Sequence, residues 1–261
     1  MTGIKPGAAA SPTFAFVKSA LFDPHVQAPL REPLLAKSIF ETFVAVDRLR
    51  AGARAGALGH PLRGKNLALL LGPDSGAEVP VLRRAAQDLG ARVAELRFTA
   101  PADPGAPARD DVRVLARMLG RMYDAVDCGH LPPAAARQVE QDAAVPVYRG
   151  LALDDHPARV VADLMTLREQ RSPPGASILF LGDPSTVRGR RFVAAAREAE
   201  FDVRIAGRGQ STRDDATFLV DATHSPHWSL LASACPVDEA RRAENHRSVI
   251  QAVLLDTIVK G

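Results

Sequence analysis

The sequence has few cysteines, few aromatic residues and little net charge. Its 261 residues include only two cysteines, Cys128 and Cys235, which are too few for a disulfide framework and stand in no metal-ligand spacing. Aromatic residues make up 5% of the chain, so few rings are available to stack on bases. The net charge is only +3 and no basic block is interleaved with aromatics, so we expect no nucleic-acid partner.

Long apolar runs are also absent. No stretch approaches about 18 consecutive apolar residues, so we predict no transmembrane helix and no membrane association. The first residues lack the basic start and apolar core of a signal peptide, so the expected location is cytoplasmic. Hydrophobic residues (46%) and charged residues (24%) occur in ordinary globular proportions, and the length suits two domains.

Short apolar runs alternate with amphipathic segments over most of the chain. Strands are predicted at 67–71, 92–98, 123–127, 145–148, 177–181, 202–206 and 218–221. Helices are predicted at 33–56, 79–89, 110–122, 136–142, 156–170, 189–198 and 239–259. This alternation indicates an α/β fold with parallel sheets between helices, and the Pro/Gly-containing segment 171–176 is the predicted boundary between two such units.

Three segments carry longer patterns. Residues 145–169 read VPVYRGLALDDHPARVVADLMTLRE, residues 64–90 open on GKNLALLL and close on LG, and residues 178–183 with 202–206 read ILFLGD and DVRIA. Together these segments resemble the aspartate/ornithine carbamoyltransferase family. The first follows the family signature VPV.NGL...HP.Q.LADL.T..E without a gap, and the second keeps the spacing of GK.LA..F…STRTR.SFE.A...LG.

The resemblance implies two doubly wound parallel-sheet domains, the second one truncated, with an active site between them. The implied parts are an N-terminal arm (1–32), a carbamoyl-phosphate-binding-like domain (33–155), an interdomain helix (156–172), a shortened amino-acid-binding-like domain (173–243) and a C-terminal helix that packs back on the first domain (244–261). It also implies carbamoyl transfer from carbamoyl phosphate to an amino acid, a trimer in which a neighbouring subunit completes the site, and no cofactor or metal.

The family's phosphate-binding positions are changed in this chain. Where the family reads Ser-Thr-Arg-Thr-Arg, the aligned residues are Ser75, Gly76, Ala77, Glu78 and Val79. Both arginines are absent, and a carboxylate stands where a phosphate would bind. A further family arginine aligns with Gly129. The alternative interpretation of the first segment is a plain strand–turn–helix junction without a ligand.

The family's His-Pro-x-Gln motif is kept in part. His156, which would donate to the carbamoyl oxygen, is present, whereas Arg159 replaces the glutamine. The same residues also fit a simple helix start, because proline is favoured in the first turn. Arg149 stands at an acceptor-site position where ornithine-type members often carry Asn. A further hypothesis is that Arg149 and Arg159 partly replace the phosphate arginines or pair with Glu78.

The remaining acceptor positions are changed as well. The family's acceptor-binding Asn aligns with Val187, and its D...SMG loop keeps only Asp221 and Ser225. The family's His-Cys-Leu-Pro keeps Cys235, and its closing Glu-Asn-Arg ends here in His246. Cys235 has no adjacent His-Asp pattern and is predicted to be a buried structural thiol rather than a nucleophile.

Compared with the family's motifs, the apolar positions that determine the fold are kept, whereas most site residues are changed. We therefore favour a catalytically inactive family homologue that acts as a structural or regulatory partner, as a homotrimer or in assembly with a carbamoyltransferase paralogue. One alternative is an enzyme or binder with a changed small anionic or amino-acid ligand, held by His156, Arg159, Arg149, Asp221 and Ser225. Another is an active carbamoyltransferase that uses ornithine or a related amino acid.

Overall fold

Two β-sheets, one in each half of the chain, organise the structure. The computed structural model describes residues 35, 37–72, 75–76, 78–98, 108–170, 175–206, 216–224 and 226–259. The predicted N-terminal arm, most of the boundary segment 171–176, and the site positions Ala77 and Ser225 lie outside the described residues.

The first sheet is entirely parallel. The elements of this half are α1 Ile39–Arg54, β1 Asn66–Leu71, α2 Glu78–Asp88, β2 Arg92–Arg97, α3 Ala108–Met122, β3 Ala125–Asp127, α4 Pro133–Asp142 and β4 Val147–Tyr148. The strands lie in the order β2-β1-β3-β4. The central strand β1 is buried from 67 to 70 because both faces of a parallel sheet are covered, as its continuous apolar run predicts.

The second sheet is parallel in its first three strands and antiparallel at one edge. Its half contains α5 Pro157–Arg168, β5 Ser177–Leu181, α6 Val187–Glu198, β6 Asp202–Ala206, β7 Phe218–Asp221, β8 Ser229–Ala232, β9 Cys235–Pro236 and α7 Glu239–Ile258. The order is β6-β5-β7-β8-β9, with β8 and β9 antiparallel. The sequence analysis did not predict β8 and β9. Their turn consists of Ser233 and Ala234, which adopt positive φ without the Gly or Asn that usually signals such a hairpin.

Helix α5 lies between the two halves and is buried on nearly every side. From Pro157 to Leu167, only Arg159 is not buried, which is typical of a helix enclosed by other elements. It packs against α1, α6 and α7, and α7 also contacts α1 and α2. One continuous apolar core therefore includes residues from both sheets. The domain boundaries stay predictions.

The close contact of α3 with the end of α4 gives a test of this packing. A Cβ atom added to Gly120 would lie 1.7 Å from the Ala143 carbonyl oxygen, so the backbone has to move. We expect Gly120→Ala to lower the free energy of unfolding by about 1–3 kcal/mol, the usual cost of overpacking. Urea unfolding measures this change.

The matched control is Gly52→Ala in α1. No atom lies within 4 Å of a Cβ added to Gly52. Because alanine is the better helix former, this variant should be neutral or more stable by up to about 1 kcal/mol. A Gly120→Ala variant as stable as Gly52→Ala would contradict the described packing of α3.

Candidate functional site

Most of the candidate residues of the first half lie where β1, β3 and β4 end, which is where ligands bind in open parallel sheets. The Asp127 carboxylate at the end of β3 fixes this region. It accepts hydrogen bonds from the backbone N–H of Gly129 at 3.1 Å and of Leu151 at 2.9 Å. Burial raises the pKa of Asp127. The loops after β3 and β4 are therefore held together by one side chain.

The phosphate-loop positions hydrogen bond among themselves. Ser75 Oγ accepts from the backbone N–H of Gly72 at 2.9 Å and lies 3.1 Å from the Gly72 carbonyl oxygen. Glu78 Oε1 accepts from the Gly76 N–H at 2.7 Å and lies 3.1 Å from His130 Nε2. Val79 is half-buried beside them. The Glu78 carboxylate thus lies at the start of α2, where a helix N-terminus attracts an anion.

Very little space remains beside Glu78. The cavity measures about 10 Å³, which is roughly the volume that one water needs. Its lining residues are Leu69, Glu78, Val79, Leu82, Asp127, His130, Gly150 and Ala152. The loop after β3 is equally tight, since a Cβ on Gly129 would lie 2.3 Å from the Cα of Gly150. With these loops in place, no arginine fits at position 129.

Arg149 and Arg159 turn away from Glu78. Arg149 Nε donates to Glu140 Oε1 at 2.8 Å, and a second guanidinium nitrogen donates to the other carboxylate oxygen. Arg159 Nε lies 3.4 Å from Asp163 Oδ1 and 3.6 Å from Asp154 Oδ1. The hypothesised pairing of either arginine with Glu78 is therefore not formed, because Arg149 pairs with Glu140 and Arg159 lies beside Asp154 and Asp163. His130 pairs with Glu78 instead.

His156 begins helix α5. It is the N-cap residue, and its Nδ1 accepts from the backbone N–H of Ala158 at 3.2 Å. His156 is buried, and Pro157 occupies the first helical position. The motif therefore works locally as a helix start, as the simpler of the two interpretations predicts.

A single buried carboxylate gathers three guanidinium groups. Asp163 is fully buried, with Arg242 Nε at 2.8 Å, Arg188 Nη2 at 3.0 Å and Arg159 Nε at 3.4 Å. Burial alone would raise the pKa of Asp163, but Arg242, Arg159 and Arg188 hold it below its usual range. The Arg188 guanidinium also lies 4.0 Å from the ring centroid of Trp228. We call these four charged residues the Asp163 cluster.

The sequence analysis missed Arg188 and Arg242 as members of this region. A signal was present, because Asp163 is a charged residue on a helix whose other faces are apolar, and a fully buried carboxylate needs a partner. The pattern does not say which of the many arginines would supply that partner. Only the tertiary structure brings α6 and α7 to the same side chain.

His246 lies beside the cluster, on α7. Burial, followed by the nearby Arg159 guanidinium, lowers the pKa of His246 to about 3, so the ring is neutral at pH 7. Its Nδ1 is 3.5 Å from Arg159 Nη1 and accepts from this donor in the tautomer that carries the ring proton on Nε2. Within the described residues, His246 Nε2 and Arg242 Nη2 are buried and have no hydrogen-bond partner. The cluster therefore holds more buried donors than acceptors.

Three acceptor positions of the second half, Val187, Asp221 and Cys235, have purely local or exposed surroundings. Val187 is the exposed first residue of α6, and the Asp221 carboxylate accepts from the backbone N–H of Thr223 at 2.9 Å in a local turn. Cys235 lies on the edge strand β9 and is exposed, so the prediction of a buried thiol was wrong. The unpredicted hairpin β8–β9 carries Cys235 to the surface, whereas Cys128 is buried.

The described ranges contain neither a metal-binding group nor a membrane-spanning helix. Within the described part of the chain, no group of three or more His, Cys, Asp or Glu side chains is placed to hold a metal ion. The helices of the described ranges are too short or too polar for any of them to cross a membrane.

Comparison with protein families gives a match over half of the chain. The family described as "Aspartate/ornithine carbamoyltransferase, carbamoyl-P binding domain" matches residues 34–169. An ornithine carbamoyltransferase from Cutibacterium acnes is 32% identical over 146 residues, which cover 55% of this chain and 43% of the relative. A catabolic ornithine carbamoyltransferase from Rhizobium meliloti is 32% identical over 148 residues, which cover 56% of this chain and 43% of the relative. The matched stretch thus spans less than half the length of these relatives.

Solved structures show the fold. An ornithine carbamoyltransferase from Burkholderia thailandensis superposes with a TM-score of 0.61 at 16% identity and covers 88% of this chain and 98% of that one. An ornithine carbamoyltransferase from Thermus thermophilus superposes with a TM-score of 0.61 at 19% identity and covers 89% of this chain and 100% of that one. These likenesses confirm the predicted two-sheet α/β architecture.

The Asp163 cluster predicts a large stability change. Asp163→Asn leaves Arg188 and Arg242 buried without their shared counter-charge, which should lower the free energy of unfolding by about 3–5 kcal/mol. The matched control is Asp47→Asn, which breaks an exposed 2.7 Å pair with Arg168 and should cost less than about 1 kcal/mol. Urea unfolding at neutral pH measures both, and equal losses would contradict the structural role of Asp163.

The difference in unfolding free energy between the wild type and Asp163→Asn should depend on pH. Since the folded-state pKa of Asp163 is lowered, its contribution is complete above the unfolded value of about 3.9 and is lost as pH falls through the folded value. The unfolding free energies of the wild type and of Asp163→Asn should therefore begin to approach each other as pH falls below about 4, and should meet only below the lowered folded-state pKa of Asp163.

Proposed function

Because the chain belongs to the aspartate/ornithine carbamoyltransferase family, we propose that it keeps the family fold without the transfer reaction and acts as a structural or regulatory partner. The observation that carries the proposal is the Glu78–His130 pair at the start of α2. It supports the proposal because the chain's own carboxylate lies where the resemblance expects the phosphate of the substrate.

Charge and space both argue against binding of carbamoyl phosphate. The two missing loop arginines represent two charge-assisted contacts of about 1.5–3 kcal/mol each, so their loss weakens binding by roughly 10²–10⁴-fold. Glu78 adds repulsion toward an anion, and the cavity beside it measures only about 10 Å³. An anion would first have to displace Glu78 from both Gly76 and His130.

The outer face of α3 supports a role as a partner. Val114, Met118 and Met122 are exposed to 66%, 47% and 57% and recur every fourth residue, so they form one apolar stripe. Exposed Arg117 and Arg121 flank the stripe. Such a face suits a protein contact, and we propose that it joins copies of the chain into a homotrimer or joins the chain to a carbamoyltransferase paralogue.

A second candidate function rests on a separate observation. The unpartnered donors of Arg242 and His246, with Arg159 beside them, would suit a small carboxylate or amino acid. In this view the protein is a binder, or an enzyme with a changed substrate, that uses the region around α5. Binding of an amino acid that is lost in Arg159→Gln, without binding of carbamoyl phosphate, would favour this candidate.

The first test is binding and turnover of carbamoyl phosphate. We expect no heat of binding at millimolar carbamoyl phosphate and no carbamoylated product from ornithine or aspartate. Glu78→Gln removes the repulsion and should give weak but measurable binding. Glu41→Gln, another first-turn glutamate at a helix start, is the control and should gain none. Wild-type turnover within the usual range of about 1–10³ s⁻¹ would overturn the proposal of an inactive protein.

The second test concerns assembly. Met118→Asp places a charge in the apolar stripe of α3 and should reduce the native mass of the assembly, measured by light scattering after size exclusion. Arg83→Asp, on the exposed surface of α2, is a control that should leave the mass unchanged. If the wild type is a monomer, alone and with a carbamoyltransferase paralogue, the partner role is contradicted.

A further inference from the structure

A second, much larger cavity lies at the amino ends of β1, β3 and β4, at the edge of the first sheet opposite to Glu78. Its volume is about 820 Å³, within the range of roughly 300–1,000 Å³ typical of small-molecule sites. The start of β1, the ends of α3 and α7 and the loop before β4 form its wall. Lys65, Asn66, Val145 and Pro146 belong to the family segments, but none of the phosphate-site or acceptor-site positions lines this cavity.

The charges that line the cavity sum to one positive charge. Three cations (Lys37, Lys65 and Arg121) and two carboxylates (Asp124 and Asp256) line it, and the Oδ2 atom of Asp256 is buried without a hydrogen bond among the described residues. Lys65 Nζ lies 2.9 Å from Asp124 Oδ1, so this cation is already paired. Among the residues that the structure describes, Lys37 and Arg121 have no carboxylate partner. Two exposed cations that line the cavity are therefore available to a negatively charged group.

Asp124 holds one wall in place. Its carboxylate accepts from the Asn66 N–H at 2.8 Å as well as from Lys65, and these contacts outweigh partial burial and lower its pKa. The group stays ionised and paired at neutral pH. It therefore fixes Lys65 at the start of β1 rather than attracting a cation of its own.

Apolar groups form the other part of the wall. Met122, Val145, Pro146 and Ile258 line the cavity together with the half-buried Tyr123. The exposed Met122 side chain can adapt to a planar or aliphatic group. A ligand that fits both surfaces carries a negative charge and an apolar part.

The wall is built from fixed elements. The Tyr148 hydroxyl hydrogen bonds with Thr257 Oγ1, which ties the end of α7 to β4. The direct contact of Gly120 with the Ala143 carbonyl ties the end of α3 to the loop before β4. The next residue in that loop, Ala144, adopts a φ of 57° at the rim of the cavity. The cavity is thus formed in advance of any ligand.

From these observations we propose that the cavity binds a small organic anion in which one phosphate or carboxylate is attached to an apolar group. Lys37 and Arg121 hold the anionic group, and Met122, Val145 and Ile258 contact the apolar part. The site is separate from the Asp163 cluster and from Glu78, so it is independent of the carbamoyl-transfer question.

Calorimetric titration of the full chain with phenyl phosphate tests the proposal. Lys37→Glu/Arg121→Glu should weaken binding by at least about tenfold, because two attractions become repulsions. Arg117→Glu reverses a charge on the same helix outside the cavity and should change the affinity by less than about twofold. Inorganic phosphate, which lacks the apolar part, should bind at least about fivefold more weakly.

Three results would overturn the proposal. The first is no saturable binding of phenyl phosphate at millimolar concentration. The second is equal affinity of the wild type and Lys37→Glu/Arg121→Glu, which would place the ligand elsewhere. The third is tighter binding of inorganic phosphate than of phenyl phosphate, which would exclude the apolar contact. Circular dichroism of the variants checks that these surface changes leave the fold intact.

Discussion

The buried carboxylate of Asp163 is the group around which the second half of the chain is arranged. Each of its partners comes from a different place: Arg159 from its own helix, Arg188 from α6 and Arg242 from α7. A carboxylate in this position is expensive unless it is paired, and so are the buried guanidinium groups. None of the three helices can move away without leaving an uncompensated charge in the interior. This requirement fixes the positions of α6 and α7 relative to α5 more specifically than apolar packing would.

Charged side chains of the first half are also paired within the chain. Glu78 satisfies the start of α2 and pairs with His130, and Arg149 is used by Glu140. Glu78 and Arg149, at two of the family's site positions, thus make their contacts within the chain. The Asp163 cluster differs, because among the described residues Arg159 Nε, Arg188 Nε, Arg242 Nη2 and His246 Nε2 are buried there without a hydrogen-bond partner.

The sequence predicts the regular elements well because apolar periodicity is a local property. The strand β1 and the helix α7 were predicted to within one residue at each end, since a buried run and an apolar stripe are visible without knowledge of the fold. The hairpin β8–β9 was missed because its strands are short and its turn residues give no signal. Alignment identified Arg149 and His246, but the partners of these side chains depend on tertiary neighbours. The pairs with Glu140 and Arg159 therefore required the structure.

Helix α7 connects the Asp163 cluster with the large cavity. Its first half carries Arg242 and His246 at the Asp163 cluster, and its last turn carries Asp256 and Thr257 at the large cavity. Twenty residues of helix span about 30 Å and behave as one stiff body. Hydrogen bonds fix it near both ends, from Asn245 to Thr166 and between Thr257 and Tyr148. Because both sets of contacts are buried, a displacement at one end strains the contacts at the other. The cavity and the cluster therefore share one mechanical element, although no side chain belongs to both.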